Sequence, residues 1–234
     1  MPANPYPAAP PHGTLVEQQQ IAQQLTAAMA QIHARGWCDG TGGNFSCVVE
    51  RDPLHLLMAP SGVHKGRVAP ADLISVDHRG QVIAGTGKAS AETALHLEII
   101  SSCGAGAVLH THSQAGTLLS NWVIRSRAIG SDPGTGELVL ADLEMLKGLG
   151  GFSTHATEAR IPVLANDQDL PRLSAKARPL LGDAPHGLLI AGHGLYAWGR
   201  DLDTAMRHLE ILEFLMEQRW RELLLEAVLQ GAAR

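Results

Sequence analysis

The chain has 234 residues, 45% of them hydrophobic and 18% charged, with a formal net charge of −5. That balance supports a sizeable core, and mild acidity without any basic run speaks against nucleic acid and against an anionic membrane surface as partners. No apolar stretch approaches the ~20 residues that a membrane-spanning helix needs. Cys38, Cys47 and Cys103 lack CxxC spacing and cannot all pair, so neither a disulfide framework nor a cysteine zinc site is indicated and a reducing cytoplasm is the expected compartment.

The opening "MPANPYPAAPPHG", residues 1–13, has neither the basic nor the apolar region of a signal peptide and reads as a flexible tail. Leu15, Ile21, Leu25, Met29 and Ile32 then lie close to one helical face, with Gly36 as a stop. "GGNFSCVVE" and "LHLLMAPSG" read as short strands around the turn-prone Arg51-Asp52-Pro53, and "LISVDHRGQVIAG" as a hairpin turning near His78-Arg79-Gly80. "SAETALHLEIISSCG" is helical, with Ser90 as N-cap and Glu92 in the first turn. "AGAVLHTH" is a strand that leads into a helix at "SQAGTLLSNW". Residues 126–136 read as a loop, followed by a strand at 137–140 and a short helix around "LEMLKG". The strand "IPVLAN", the helix "DLPRLSAKARPLL" and the paired strands "HGLLIAGHG" and "LYAWG" come next. A long amphipathic helix capped by Asp201 closes the chain, and its stripe from Leu202 and Ala205 to Trp220 and Leu223 reads as core. Alternating helices and strands, with no repeat and no internal linker, predict one α/β domain over residues 14–234 with its sheet topology open.

"VLHTHSQAG" carries the first chemical signal. Side chains alternate along a strand, so His110 and His112 point to the same face, close enough to share one ion. Taken alone, the pair reads equally as two surface histidines at a strand end. A catalytic zinc needs three protein ligands and an open position. His193, between Gly192 and Gly194 in "AGHGLYAWG", is the best third ligand, although by itself it reads as a turn histidine. His64, His78 and His155 lie in loop-like stretches, and His96 and His208 within helices. There is no HExxH, and "GTGKAS" at 85–90 fails as a P-loop, with Val82 where Gly is needed and Ala89 after Lys88. "DGTGGNFS" misses dinucleotide-binding spacing and leads into a strand. It remains a candidate anion cradle: Gly42 and Gly43 leave backbone amides uncovered, with Thr41, Asn44 and Ser46 as donors. Ser61-Gly62 and Ser90 are two further small polar sites, although each of the three loops reads alone as a simple turn.

In order, "GTGGNFS", "APSGVHKG", "KASAE", "VLHTHS", "LEMLKG" and "GHGLYAWG" resemble the class II aldolase/epimerase family, over about residues 15 to 225. The resemblance implies a three-layer α/β fold with a central, largely antiparallel sheet flanked by helices, and a homotetramer with sites between subunits. It implies a small sugar-phosphate substrate and one zinc per subunit, held by His110, His112 and His193. Asn44, Ser61 and Ser90, with Gly43 and Gly62 beside them, match the family's phosphate-binding loops. Glu144 in "LEMLKG" matches the general acid/base of the family's dehydratases, and Glu92 the catalytic carboxylate of its aldolases. Ala91 departs from the aldolases, which often carry a second serine there. The wording of the motifs favours a zinc-dependent dehydratase. A sugar-phosphate aldolase or 4-epimerase is the alternative within the family, and an interaction module like the adducin head is the non-enzyme alternative.

Overall fold

The computed structural model describes residues 15–126 and 134–232. The tail expected at 1–13, and residues 127–133 of the expected loop, lie outside the described residues. The helices are α1 (Leu15–Ala34), α2 (Thr93–Cys103), α3 (Gln114–Arg125), α4 (Leu170–Leu181) and α5 (Leu202–Ala232). The strands are β1 (Asn44–Arg51), β2 (Leu54–Met58), β3 (Ile74–Asp77), β4 (Val82–Ala84), β5 (Ala107–Thr111), β6 (Thr135–Ala141), β7 (Glu158–Leu164), β8 (Gly187–Ile190) and β9 (Gly194–Gly199). "EMLKG" forms a short 3-10 helix, Glu144–Gly148. No helix among the described residues is long and apolar enough to cross a membrane.

The strands form one sheet in the order β4-β3-β2-β1-β5-β9-β8-β7-β6. Every neighbouring pair is antiparallel except β7–β8, which is parallel, so the sheet is mixed and largely antiparallel. The parallel pair has a direct cause: α4 lies between β7 and β8 in the chain and carries it back across the sheet, whereas antiparallel neighbours can be joined by tight turns.

Alternation along the strands divides the core in two. Ala107 and Leu109 of β5 and Leu195 and Ala197 of β9 face the layer built by α1, α3 and α5. Val108 of β5 and Tyr196 and Trp198 of β9 face the layer built by α2 and α4. Each fully buried Leu or Ile side chain contributes on the order of 1.5–3 kcal/mol. Ala205, Leu209, Leu212 and Leu215 of α5 are buried, as the stripe predicts. The Asp201 carboxylate accepts from the Thr204 amide at 2.7 Å, the expected cap.

Several expected boundaries move: β6 begins at Thr135 inside the expected loop, and β7 at Glu158, ahead of Ile161. α2 begins at Thr93 rather than beside Ser90. Ser90 instead heads a tight turn, with its carbonyl accepting from the Thr93 amide and its hydroxyl from the Glu92 amide. That turn places Glu92 at the start of the helix, not within its first turn.

Strand directions decide what can meet. The end of β2, the start of β1, the end of β5 and the β8–β9 turn all lie at one end of the sheet. β6 runs opposite to β5, so the residues that follow it lie at the other end.

Candidate active site

His110 is the next-to-last residue of β5, on the face that carries Tyr196, and its ring stacks on that phenol ring with centroids 3.9 Å apart and planes 13° apart. Its Nδ1–H donates to the Leu195 carbonyl at 2.9 Å. That bond fixes the tautomer and leaves Nε2 as a lone pair. The His112 Nε2 lies 2.8 Å from it and the His193 Nε2 3.3 Å. Glu92 completes the group: its Oε1 is 2.9 Å from the His193 Nε2 and 3.8 Å from the His110 Nε2. One ligand atom from each of Glu92, His110, His112 and His193 lies within 4.8 Å of all the others.

The electrostatics fit a cation. Burial pushes His110 well below the ordinary imidazole value and lowers His112 as well, so both are neutral ligands. Burial raises the Glu92 carboxyl, but the His193 hydrogen bond and the surrounding imidazoles outweigh it and hold it at about 2. Converging imidazole nitrogens, one tautomer fixed by a backbone carbonyl, and an anionic carboxylate beside them form a donor set suited to a divalent metal ion.

The surrounding loops explain the glycines of "GTGG" differently from the sequence reading. The Gly42 amide is not free; it donates to the Asp39 carbonyl at 3.1 Å. A Cβ at Gly42 would come within 2.8 Å of the His112 Nδ1, and one at Gly43, with φ of +73°, within 2.7 Å of the His110 carbonyl. Small residues are needed here because the loop lies against the histidine strand. The Asn44 amide donates to the Glu92 carboxylate, while Asn44 Oδ1 is buried with no partner among the described residues. Ser46 turns inward to the His96 Nδ1 at 2.7 Å. Ser61 and Gly62 are exposed in the loop after β2, and Ser90 is half-buried. The Ser61 amide donates to the Lys88 carbonyl at 2.8 Å, which ties that loop to the segment before Ser90. Asn44, Ser61, Gly62 and Ser90 therefore share the sheet end that carries the histidines.

Glu144 does not join them within one chain. It follows β6, four strand spacings or about 19 Å across the sheet from β5, and at the sheet's opposite end. Its side chain is 69% exposed, pairs with Lys147 and lies 3.8 Å from the His155 Nδ1. The Lys147 hydrogen bond holds its carboxyl below the usual range.

Sequence reasoning missed several supporting residues. Thr117 donates to the His193 carbonyl at 3.1 Å, and Ser120 accepts from the Gly192 amide at 3.2 Å, so α3 holds the turn that carries His193. The Lys65 ammonium, 2% exposed, donates to the Thr41 carbonyl at 3.0 Å and the Val63 carbonyl at 3.1 Å, joining the loops before β1 and after β2. All three lie inside stretches quoted above, but nothing in their local pattern marks Lys65 as buried or Thr117 and Ser120 as supports of the His193 turn.

Residues 23–220 match the family model described as "Class II Aldolase and Adducin N-terminal domain". The chain belongs to this family. It is 42% identical over 203 residues to a methylthioribulose-1-phosphate dehydratase of Methylococcus capsulatus, covering 86% of this chain and 93% of that protein. It is 38% identical over 202 residues to the Pseudomonas aeruginosa protein of the same name, covering 85% and 93%. Among solved structures, L-fuculose-1-phosphate aldolase from Thermus thermophilus superposes with a TM-score of 0.68 at 24% identity, covering 92% of this chain and 98% of that one. A sugar-phosphate aldolase from Thermotoga maritima gives 0.61 at 18% identity, covering 88% and 96%. These two structures establish the class II aldolase fold. The family and the Glu92/His110/His112/His193 cluster together are compatible with a divalent metal.

Proposed function

We propose that the protein is a methylthioribulose-1-phosphate dehydratase, removing water from 5-methylthioribulose 1-phosphate to give 2,3-diketo-5-methylthiopentyl 1-phosphate, a step of methionine salvage. The observation that carries this reading is the joining of His110, His112, His193 and Glu92 at one sheet end, in a chain 42% identical to a protein of that name. Zinc, one per subunit, is our choice for the ion, because a set of three histidine ligands is one that catalytic zinc commonly takes.

The substrate has a ketone at C2 and hydroxyls at C3 and C4. Loss of water requires a base to take the C3 proton, the C4–O bond to break with its oxygen protonated, and the resulting enol to ketonise to the 2,3-diketone. When bound at the three histidines, the ion supplies Lewis-acid stabilisation of the negative charge that develops on substrate oxygen. Asn44, Ser61 and Ser90, with Gly43 and Gly62, hold the phosphate, which turns binding energy into orientation. Glu92 is anionic beside the histidines, oriented by the Asn44 amide, and is set to accept a proton rather than to give one.

Glu144 is the general acid/base of this scheme. Its distance from the chain's own histidines means that it serves the site of a neighbouring copy, in keeping with a homotetramer whose sites lie between subunits. Covering its exposed carboxylate at such an interface removes water and raises its proton affinity toward the working pH. We read residues 14–234 as one domain of a cytoplasmic enzyme.

One observation favours a second reading. Glu92, the aldolase-type carboxylate, is the glutamate that touches the histidine cluster, as a sugar-phosphate aldolase or 4-epimerase requires. Turnover of 5-methylthioribulose 1-phosphate, fuculose 1-phosphate and ribulose 5-phosphate by the zinc-loaded protein separates the two. Efficient turnover of the first sugar alone supports the dehydratase, whereas comparable turnover of either other sugar rejects it. An assembled ligand cluster also argues against a non-catalytic module, which has no need of one.

A further inference from the structure

The "HTHS" segment is two-sided. His110 and His112 face the α2–α4 layer, so Thr111 and Ser113 face the layer of α5. There both hydroxyls meet one carboxylate: Thr111 donates to Glu213 at 2.5 Å, and Ser113 also hydrogen-bonds it. Thr111, Ser113 and Glu213 are 0%, 4% and 3% exposed. Ser113 accepts from the Gly116 amide at 3.1 Å as the N-cap of α3, so its hydroxyl hydrogen is free for Glu213. Among the described residues no cation pairs with this carboxylate. It lies on a stretch of α5 that also carries Leu209, Leu212, Leu215 and Met216, all buried. An apolar side chain at 213 would fill the same space without desolvating a carboxylate. What the carboxylate adds is two directed acceptors.

Those acceptors act where the sheet stops acting. The β5–β9 ladder ends at the Thr111–Leu195 pair. His112 lies beyond it, held in the backbone by its amide donating to the Trp37 carbonyl at 2.7 Å. The residues on either side of His112 are both tied to Glu213. We infer that Glu213 is a positioning residue for the metal-binding segment, fixing His110 and His112 through the hydroxyls of Thr111 and Ser113. The inference rests on the reading of His110, His112 and His193 as the metal's ligands. Ligands held by such outer contacts bind more tightly because less order is lost on binding, and loss of an outer contact typically costs about 10- to 100-fold in metal affinity.

The test is titration of the metal-free full-length protein with cobalt(II) alone, read by its visible absorption at a temperature where circular dichroism shows each variant folded. Thr111→Val keeps shape and removes the hydroxyl; Thr111→Ser restores it; Glu213→Met removes both acceptors. We expect Thr111→Val and Glu213→Met to bind cobalt at least about tenfold more weakly with a shifted spectrum, and Thr111→Ser to recover wild-type affinity and spectrum. Wild-type affinity and spectrum in the disruptive variants, with only a lowered thermal midpoint, would overturn the inference and leave Glu213 a structural residue. The two disruptive variants enter from different elements, and whichever folds decides the question. Failure of the underlying reading looks different: wild-type protein would then bind cobalt no better than His112→Ala.

Discussion

The Asn44 side chain at the start of β1 donates its amide to the Glu92 carboxylate at the start of α2, across 48 residues of sequence. This contact aims Glu92 at the histidines and stabilises its anion. Asn44→Asp would place a second carboxylate against it, and two such groups cannot both ionise without cost. The acid limb of the kcat/KM profile should move up by about one unit or more. An unchanged acid limb would mean that Glu92 does not carry the protonation that matters.

Metal content should depend on all three histidines together. Wild-type protein should hold one zinc per subunit by elemental analysis, and His110→Ala should lose most of it. Glu92→Gln and Glu144→Gln should keep theirs. Full occupancy in the His110→Ala, His112→Ala, His193→Ala triple variant would put the ion elsewhere.

The two glutamates separate by kinetics and by mixing. Glu144→Gln should lose about 10²–10⁴ in turnover with substrate binding largely kept, as removal of a general acid/base does. Because Glu144 lies at the far end of its own sheet, a mixture of Glu144→Gln and His112→Ala subunits, unfolded and reassembled together, should regain activity that neither has alone. Absence of recovery in verified mixed oligomers would contradict the assignment of Glu144 to a neighbouring subunit's site. A larger loss in Glu92→Gln than in Glu144→Gln would reverse their roles.

Stability should fall in acid through buried histidines. Burial lowers both His96 and His208 to about 4 from the ordinary imidazole value of 6.5. Their contribution is complete above pH 6.5 and is lost as the pH drops through that value toward 4. For fully buried His96 the loss is on the order of 3 kcal/mol. Glu213 has the opposite sign: burial raises it to about 7, so its contribution is present below its unfolded value near 4.5 and lost as the pH rises through 7. Urea midpoints of metal-free protein between pH 4 and 8 check both slopes. His96→Gln should flatten the acid side and Glu213→Gln the neutral side; a wild-type slope in either variant would reject that assignment.

The glycine beside the histidine strand should be sensitive as well. Gly43→Ala forces a side chain into a backbone with φ of +73°, 2.7 Å from the His110 carbonyl. A loss of about 1–3 kcal/mol in stability is the expected scale for such strain. Chemical denaturation measures it, and a variant as stable as wild type would mean that the loop shifts freely.

What the sequence reveals here is what lies within one element. The His110/His112 pair follows from strand alternation, His193 from its turn between two strands, and the Asp201 cap from the residue before a periodic stripe. Partners far apart in sequence stay hidden: Glu213 lies 102 residues from Thr111, and its local pattern is that of any amphipathic helix. The parallel β7–β8 pair is hidden for the same reason, since strand composition does not encode direction. Ser90 is misread because a serine before a helix serves equally as a cap or as the start of the preceding turn. Glu144 matches its motif, yet only the order and direction of the strands reveal that it lies at the opposite sheet end from its own chain's histidines.

The most direct measurement follows 5-methylthioribulose 1-phosphate by ¹³C NMR, with C2, C3 and C4 labelled, in the presence of zinc-loaded protein. The expected result is two adjacent ketone signals at C2 and C3 and conversion of C4 to a methylene, with no turnover after chelation. An aldehyde signal from cleavage between C3 and C4, or inversion at C4 with its hydroxyl retained, would contradict it.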